Sequence, residues 1–375
     1  MKRMIKYAAV VFALVLAASI IGGCLTAGVA VVQAIVEKTG TGSGTESSRG
    51  DGNADTNNDL WHRDENGDII FLGTRFGSSG AVKSGSEEFS GSEIDSLDVE
   101  GLSGELIIEA WDKDTISVVY ENIAEEYKIK NDDGVLKISC DKDWFSFNVS
   151  PKELPKIHIQ VPAGQEFREI MVDKGSGSLK LSGVKAEEME IDSGSGSVNI
   201  SDIAGEELLI DSGSGFVNAS DIAVKKFRVN SGSGAVAVER LTAEKTVLDS
   251  GSGTVTVKNS VTGETSVDTG SGFVNFEETS AKNFEVESGS GRVNYTGELA
   301  GNCVFDTSSG SVNLELYGAE EEYNIRADLG SGGLYINGAK ERDTNIEYED
   351  ADNDLVFDTG SGRVSIKFHS EKMYK

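Results

Sequence analysis

Between Phe89 and Ile170 apolar residues come in short alternations separated by polar turns: Leu97 and Val99, Leu106 and Ile108, Ile116 and Val118, Leu136 and Ile138, then Ile157, Ile159 and Val161. A period of two, sustained over a few residues and rich in Val and Ile, predicts half-buried β-strands rather than helices. From Asp173 the alternation becomes a strict repeat. Equivalent positions recur every nineteen residues at Asp173, Asp192, Asp211, Asn230, Asp249, Asp268, Glu287 and Asp306, with two looser copies at Asp328 and Asp358. Superimposed units share an apolar column of Leu179, Val198, Val217, Val236, Val255, Val274, Val293 and Val312. A second column, two residues on, runs from Leu181 and Ile200 to Tyr295 and Leu314, and the residues between the two are mostly polar. Another strand ends each unit, with Ile191, Ile210, Val229, Leu248, Val267, Val286 and Phe305 in one column and Met189, Leu208, Phe227, Thr246, Thr265, Phe284 and Cys303 in its companion.

A nineteen-residue unit with two strands cannot close a core of its own, but such units stacked in register bury four continuous columns. The pattern therefore predicts an all-β chain whose residues 173–368 form a parallel β-helix, or β-solenoid, with two or three faces per coil and a rise of about 4.8 Å per coil. Residues 89–172 form a β-rich capping module that shields the N-terminal edge of the stack. The Asp-Ser-Gly-Ser-Gly stretches mark one corner of each coil. The corner residues singled out are Asp192, Gly194, Gly196, Asp211, Gly213, Gly215, Asp249, Gly251, Gly253, Asp268, Gly270 and Gly272. Their glycines would take positive φ or let neighbouring coils approach closely, and the acidic and hydroxyl residues beside them would bond backbone donors left over by the turn.

The N-terminus reads differently. Lys2, Arg3 and Lys6 precede an apolar stretch from Tyr7 to Val36 in which Gln33 alone is strongly polar. This predicts a basic cytoplasmic end at 1–6 and a single-pass transmembrane helix at 7–36 in the cell membrane, with the remainder extracytoplasmic. The alternative is a lipoprotein, because Ile21-Gly22-Gly23-Cys24 resembles a processing site at which Cys24 would be lipidated. Residues 37–88 form a flexible Gly/Ser/Asn/Asp-rich linker, within which Trp61 and the patch Ile69 to Leu72 either dock back or stay free. Residues 369–375 are a C-terminal tail.

Charge narrows the partners. With 34 Lys plus Arg against 63 Asp plus Glu, the formal net charge of -29 excludes nucleic acid as an expected ligand. Cys24, Cys140 and Cys303 do not make a disulfide framework, and His62, His158 and His369 are too scattered for a His-rich metal site. No cofactor is called for. Calcium is the one cation left open, because stacked Asp side chains repel unless hydrogen bonds, water or cations intervene, yet the nine-residue calcium-roll motif Gly-Gly-x-Gly-x-Asp is missing.

Two stretches, Val267-Asp268-Thr269-Gly270 and Phe357-Asp358-Thr359-Gly360, look like aspartic protease loops, but the same position is Asp-Ser-Gly at Asp192, Asp211 and Asp249. The motif is a replicated corner. No Ser, His and Asp set can be nominated, and His158 reads as a strand-surface residue. No enzyme site is expected.

The chain resembles the bacterial "putative adhesin" family with β-helical repeats (DUF4097-like, a domain of unknown function). The matching pieces are Leu106-Ile107-Ile108-Glu109-Ala110, Asp114-Thr115-Ile116-Ser117-Val118, Ile157-His158-Ile159-Gln160-Val161-Pro162, and strands such as Ser195-Gly196-Ser197-Val198. The resemblance implies the β-helical fold and a surface location, and it carries over no catalytic or ligand residues. The expected function is an anchored binding or spacer module for a cell-wall, glycan or protein ligand. The alternative is a polysaccharide-cleaving β-helix enzyme, disfavoured because basic groups such as Lys225, Lys226, Arg228 and Arg240 are scattered among many carboxylates.

Overall fold

The computed structural model describes residues 61–63, 69–71, 74–76, 82–140 and 154–369. The chain divides into two compact units, Met1–His62 and Arg63–Lys375. Short strands lie at Trp61–Arg63, Ile69–Phe71 and Thr74–Phe76, the last two paired antiparallel. The strand Val82–Ser90 begins inside the stretch expected to be linker.

The second unit is built around one 24-stranded sheet wound into coils. The long strands Leu179–Ser195, Val198–Ser212, Val217–Ser231 and Val236–Ser250 pair parallel, each residue meeting the one nineteen positions later, as Leu179 meets Val198 and Asp192 meets Asp211. Pairing lapses at Gly183 and again at Glu187, which divides a coil into three faces rather than two. The middle face is short. It adds two further inward columns, Val184, Ile203, Ile222 and Leu241, and Ala186, Val224 and Ala243, all buried. The sequence left two or three faces open and did not assign these columns, because their later members Ser260, Thr262 and Thr279 are polar although buried.

The turn into the middle face has its own rule. Ten residues after each ladder position stand Gly183, Asp202, Asp221, Arg240, Asn259, Glu278 and Gly297, and every one has positive φ, from 50° at Asn259 to 145° at Gly297. Left-handed backbone is open to Gly and tolerated by Asn and Asp, which explains the residue types at most of these corners.

Chain order and stacking order part company at both ends. The coil made by Ser96–Ser103 and Glu105–Trp111 lies between Val135–Cys140 with Lys156–Pro162 on one side and the first repeat on the other. At the far end Asp306 meets Asp358, and Asp358 meets Asp328, so the last coil of the sequence is inserted before the one preceding it. Antiparallel strands close the stack: Tyr127–Asp132 on Val135–Cys140, Thr115–Ala124 on Lys156–Pro162, and the short Asn345–Ile346 and Ala339–Lys340 on the last coil. They cover backbone edges that would otherwise recruit other chains.

The core is the set of stacked inward columns. In the second half aromatic rings fill it: Phe276 and Phe284 meet edge to face at 5.0 Å, and Phe305 stacks on Phe357 at 5.1 Å. Tyr295 is 1% exposed, with its hydroxyl 2.8 Å from the carbonyls of both Thr279 and Glu298.

The expected transmembrane helix has no counterpart among the described residues. The helical turns described are two three-residue 3-10 turns, Gly91–Glu93 and Glu320–Glu322, and no helix among the described residues is long and apolar enough to cross a membrane. Crossing takes about 20 such residues. Residues 7–36 and Cys24, on which the anchor and lipidation readings rest, lie outside the described residues. The membrane anchor, the single-pass topology and the membrane as a partner are therefore withdrawn.

Candidate functional site

The corner residues assemble into a ladder. From the N-terminal end its rungs are Glu100, Asp173, Asp192, Asp211, Asn230, Asp249, Asp268, Glu287, Asp306, Asp358 and Asp328, each in register with the next. Strand alternation turns these side chains outward and the following Ser or Thr inward. In three coils the inward hydroxyl holds the turn, whereas those of Ser193 and Ser212 are buried without a hydrogen-bond partner. Ser250, Thr269 and Ser288 accept hydrogen bonds from the N–H of Gly253, Gly272 and Gly291 at 3.1, 3.0 and 3.1 Å. In these coils the hydroxyl does the capping, which leaves the carboxylate beside it free to face solvent.

The glycines are explained chiefly by close approach. A Cβ on Gly215 would lie 1.5 Å from the carbonyl oxygen of Gly196, and one on Gly253 would lie 1.8 Å from that of Gly234. Among the corner glycines singled out from sequence, Gly196 alone has positive φ, at 132°. The first glycine of each corner is also crowded, with 2.4 Å between a Cβ on Gly213 and the Gly194 oxygen.

Along the ladder runs an open groove of about 950 Å³, lined by Asp173, Asp192, Asp211, Asn230, Asp249 and Asp268 together with Arg228. Carboxylates stacked about 4.8 Å apart oppose one another's ionisation. The proton affinity of Asp192 is raised by burial and then by Asp211 and Asp173. That of Asp249 is raised by burial, with Asp268 and Asp211 adding to it and Arg228 opposing. One rung relieves the repulsion: Asn230 donates a hydrogen bond from Nδ2 to Oδ1 of Asp211. Its coil also carries Lys225, Lys226 and Arg228, and the two lysines pair with Glu206 and Glu207 of the preceding coil.

Sequence inspection also passed over Lys174, which stands in the column of inward hydroxyls. Its side chain is buried, with Nζ 2.9 Å from the Ser176 carbonyl and 3.3 Å from that of Gly104. Burial lowers its pKa to about 8. Nothing in the residue type announces this position; only the column shows that a lysine has replaced a serine.

Other motifs separate in space. Asp268 and Asp358 are rungs with Glu287 and Asp306 between them, so the two Asp-Thr-Gly stretches do not face each other. His158 is half-buried, its Nε2 3.0 Å from Oε1 of Glu109, and Lys180 donates to the other oxygen of that carboxylate at 3.0 Å. Cys140 and Cys303 are free thiols, and burial pushes the Cys303 thiol up to about 11. Among the described residues no three His, Cys, Asp or Glu side chains gather as metal ligands, because stacking spreads the carboxylates along a line instead of around a point.

Comparison with known proteins follows this geometry. The Toastrack DUF4097 family matches residues 94–246 and 219–367. No curated protein matches the chain. Among solved structures, a "putative adhesin" from Parabacteroides distasonis is 17% identical, with 77% of this chain and 98% of that one covered and a TM-score of 0.41. A "putative lipid binding protein" from the same organism is 17% identical over 76% of this chain and 98% of that one, with a TM-score of 0.37. A "putative cell adhesion protein" from Clostridium sporogenes is 16% identical over 76% and 100%, with a TM-score of 0.26. These likenesses identify no ligand for this chain. The family match, which spans both the capping module and the repeats, shows that the chain belongs to the Toastrack DUF4097 family.

Proposed function

We propose that the chain is a non-catalytic binding rod that holds an extended polycation in the groove along its carboxylate ladder. The observation that supports this is the groove itself, about 950 Å³ and walled by Asp side chains, in which the ionisation of Asp192 and Asp249 is disfavoured by burial and then by neighbouring carboxylates. A bound line of cationic groups relieves that repulsion at every rung it reaches, so binding strengthens with ligand length. The stacked glycines, and the capping hydroxyls beside Asp249, Asp268 and Glu287, keep the rungs in a fixed line before any ligand arrives, which limits the ordering entropy of association.

The test is calorimetric titration of the full-length chain with poly-L-lysine of defined lengths at two salt concentrations, alongside the triple variant Asp192→Asn, Asp211→Asn, Asp249→Asn. Affinity should rise with polymer length, weaken with salt and fall at least about tenfold in the triple variant. Equal binding by the triple variant and the parent would reject the groove as the site. No binding by either would favour a rod that spaces other parts of the chain.

A further inference from the structure

A second strip of the surface has a different chemistry. On the face that carries the Leu179 and Leu181 columns inward, the outward residues of one coil are Ser197, Asn199 and Ser201, and those of the next are Phe216, Asn218 and Ser220. Ala235 and Ala237 follow in the coil after that. In a chain of net charge -29 these eight outward residues carry no charge, and Glu239, in register with Ser220, is the first charged side chain reached. The charges that border it are already engaged with each other: Lys180 with Glu109 at 3.0 Å, Lys258 with Glu277 at 2.7 Å, and Arg240 with Glu239 and Asp221.

The strip is hollowed and carries an aromatic. A groove of about 660 Å³ runs along it beside Phe216, with Asn199, Ser201, Asn218 and Ser220 in its walls together with two acidic residues, Glu105 and Glu239, and two basic ones, Lys180 and Lys258. Phe216 is 63% exposed while its neighbour Val217 is fully buried, so the ring stands out from the sheet instead of packing in the core. Beside it in the next coil is Ala235, whose backbone carbonyl receives the Val217 N–H at 2.9 Å and whose side chain is only a methyl. Three coils on, Phe273 occupies the same column, roughly 14 Å away at about 4.8 Å per coil. The amides beside Phe216 are ordered: Asn218, in the same coil, donates from Nδ2 to Oδ1 of Asn199, in the coil before it, at 3.0 Å. That bond fixes both side chains and leaves the Asn199 amine as donor and the Asn218 oxygen as acceptor toward the groove.

Aromatic face, paired amide donors and acceptors, hydroxyls and an absence of net charge match one ligand chemistry. A neutral sugar ring offers a C–H face for stacking and hydroxyls that both donate and accept, whereas a charged polymer would find no excess of counter-charge, the lysines of the groove being paired with Glu109 and Glu277, and a folded protein partner would ask for a larger apolar patch. We propose that this strip binds a neutral polysaccharide laid along the coil axis, with a sugar ring on Phe216 and hydroxyls held by Asn199 and Asn218. The site is separate from the carboxylate groove, and neither reading depends on the other.

The experiment titrates the full-length chain with soluble, neutral, β-linked hexasaccharides of glucose, mannose and N-acetylglucosamine, followed by calorimetry and saturation-transfer NMR. At least one should bind saturably, with an affinity that holds when salt is raised from about 0.1 to about 1 M, because screening acts on charges. Phe216→Ala should weaken it at least about tenfold, Phe216→Trp should keep or tighten it, and Asn218→Ala should weaken it. Asp211→Asn, which alters the ladder, should leave it unchanged. Unchanged thermal melts of the exposed-site variants show that the fold is intact. Failure of all three hexasaccharides to bind overturns the proposal, as does binding that survives Phe216→Ala or disappears at high salt.

Discussion

Replacing Gly215 with Ala tests the physical basis of the coil corner. The new Cβ would sit 1.5 Å from the Gly196 oxygen and 2.6 Å from its carbon, where ordinary contact begins at 3.4 Å. Both atoms belong to backbone, so no side chain can swing aside. Restoring contact moves the two corners apart by about 2 Å, against a coil rise of about 4.8 Å. Two hydrogen bonds cross that gap, Gly213 N–H to the Ser193 oxygen at 2.9 Å and Val198 N–H to the Phe216 oxygen at 2.8 Å. Losing them costs about 1 kcal/mol each, and forced overpacking adds about 1 to 3 kcal/mol. The expected destabilisation is about 3 to 5 kcal/mol. The controls are Gly101→Ala and Gly164→Ala, at φ of 75° and 81° with no atom within 4 Å of the added Cβ. There the left-handed backbone alone should cost about 1 to 2 kcal/mol. Guanidinium denaturation followed by far-UV circular dichroism gives the comparison, with hydrogen exchange at Gly213 and Val198 reporting whether opening is local, as stacked repeats allow. A Gly215→Ala variant no less stable than Gly101→Ala would refute close approach as the reason for the glycine.

Three further outcomes are expected. Asp249→Asn should stabilise the protein at neutral pH by less than about 1 kcal/mol, given its solvent exposure; because the folded-state pKa of Asp249 is raised, the folded protein binds more protons than the unfolded chain, so the parent should gain stability as pH falls through that raised value, and the variant's advantage should vanish below the ordinary carboxylate pKa in melts across the acid range. Lys174 shows the opposite sign: with its pKa lowered to about 8, the unfolded chain binds more protons above that value, so parent stability should rise from pH about 8 toward about 10, and Lys174→Ser should flatten that slope. Tyr295→Phe should lower stability by about 1 kcal/mol through the lost hydroxyl donor while the aromatic packing around Phe276 and Phe284 persists, as a denaturation midpoint and near-UV spectrum would show.

The strands, the inward columns and the corner ladder were legible in the sequence because each is a local or strictly periodic property. Alternation assigns inside and outside within a strand, and a spacing of nineteen residues lets Asp192 predict Asp211 without knowledge of the fold. The groove that these rungs line, Lys174 in the hydroxyl column and the exposed Phe216 beside paired amides needed the stacked faces, because each acquires meaning from neighbours nineteen or more residues away. The choice between two and three faces stayed open because polar Ser260, Thr262 and Thr279 are buried on the middle face, their hydroxyls bonded locally where composition alone reads surface. Stacking order was the feature that the linear pattern could not supply. Any coil presents the same row of backbone donors and acceptors to its neighbour, so register alone does not say which coil follows which. The insertion of Asp358 between Asp306 and Asp328, and of the Ser96–Ser103 coil behind strands that come later in the chain, is decided by how connecting loops close and by the antiparallel strands that cap each end.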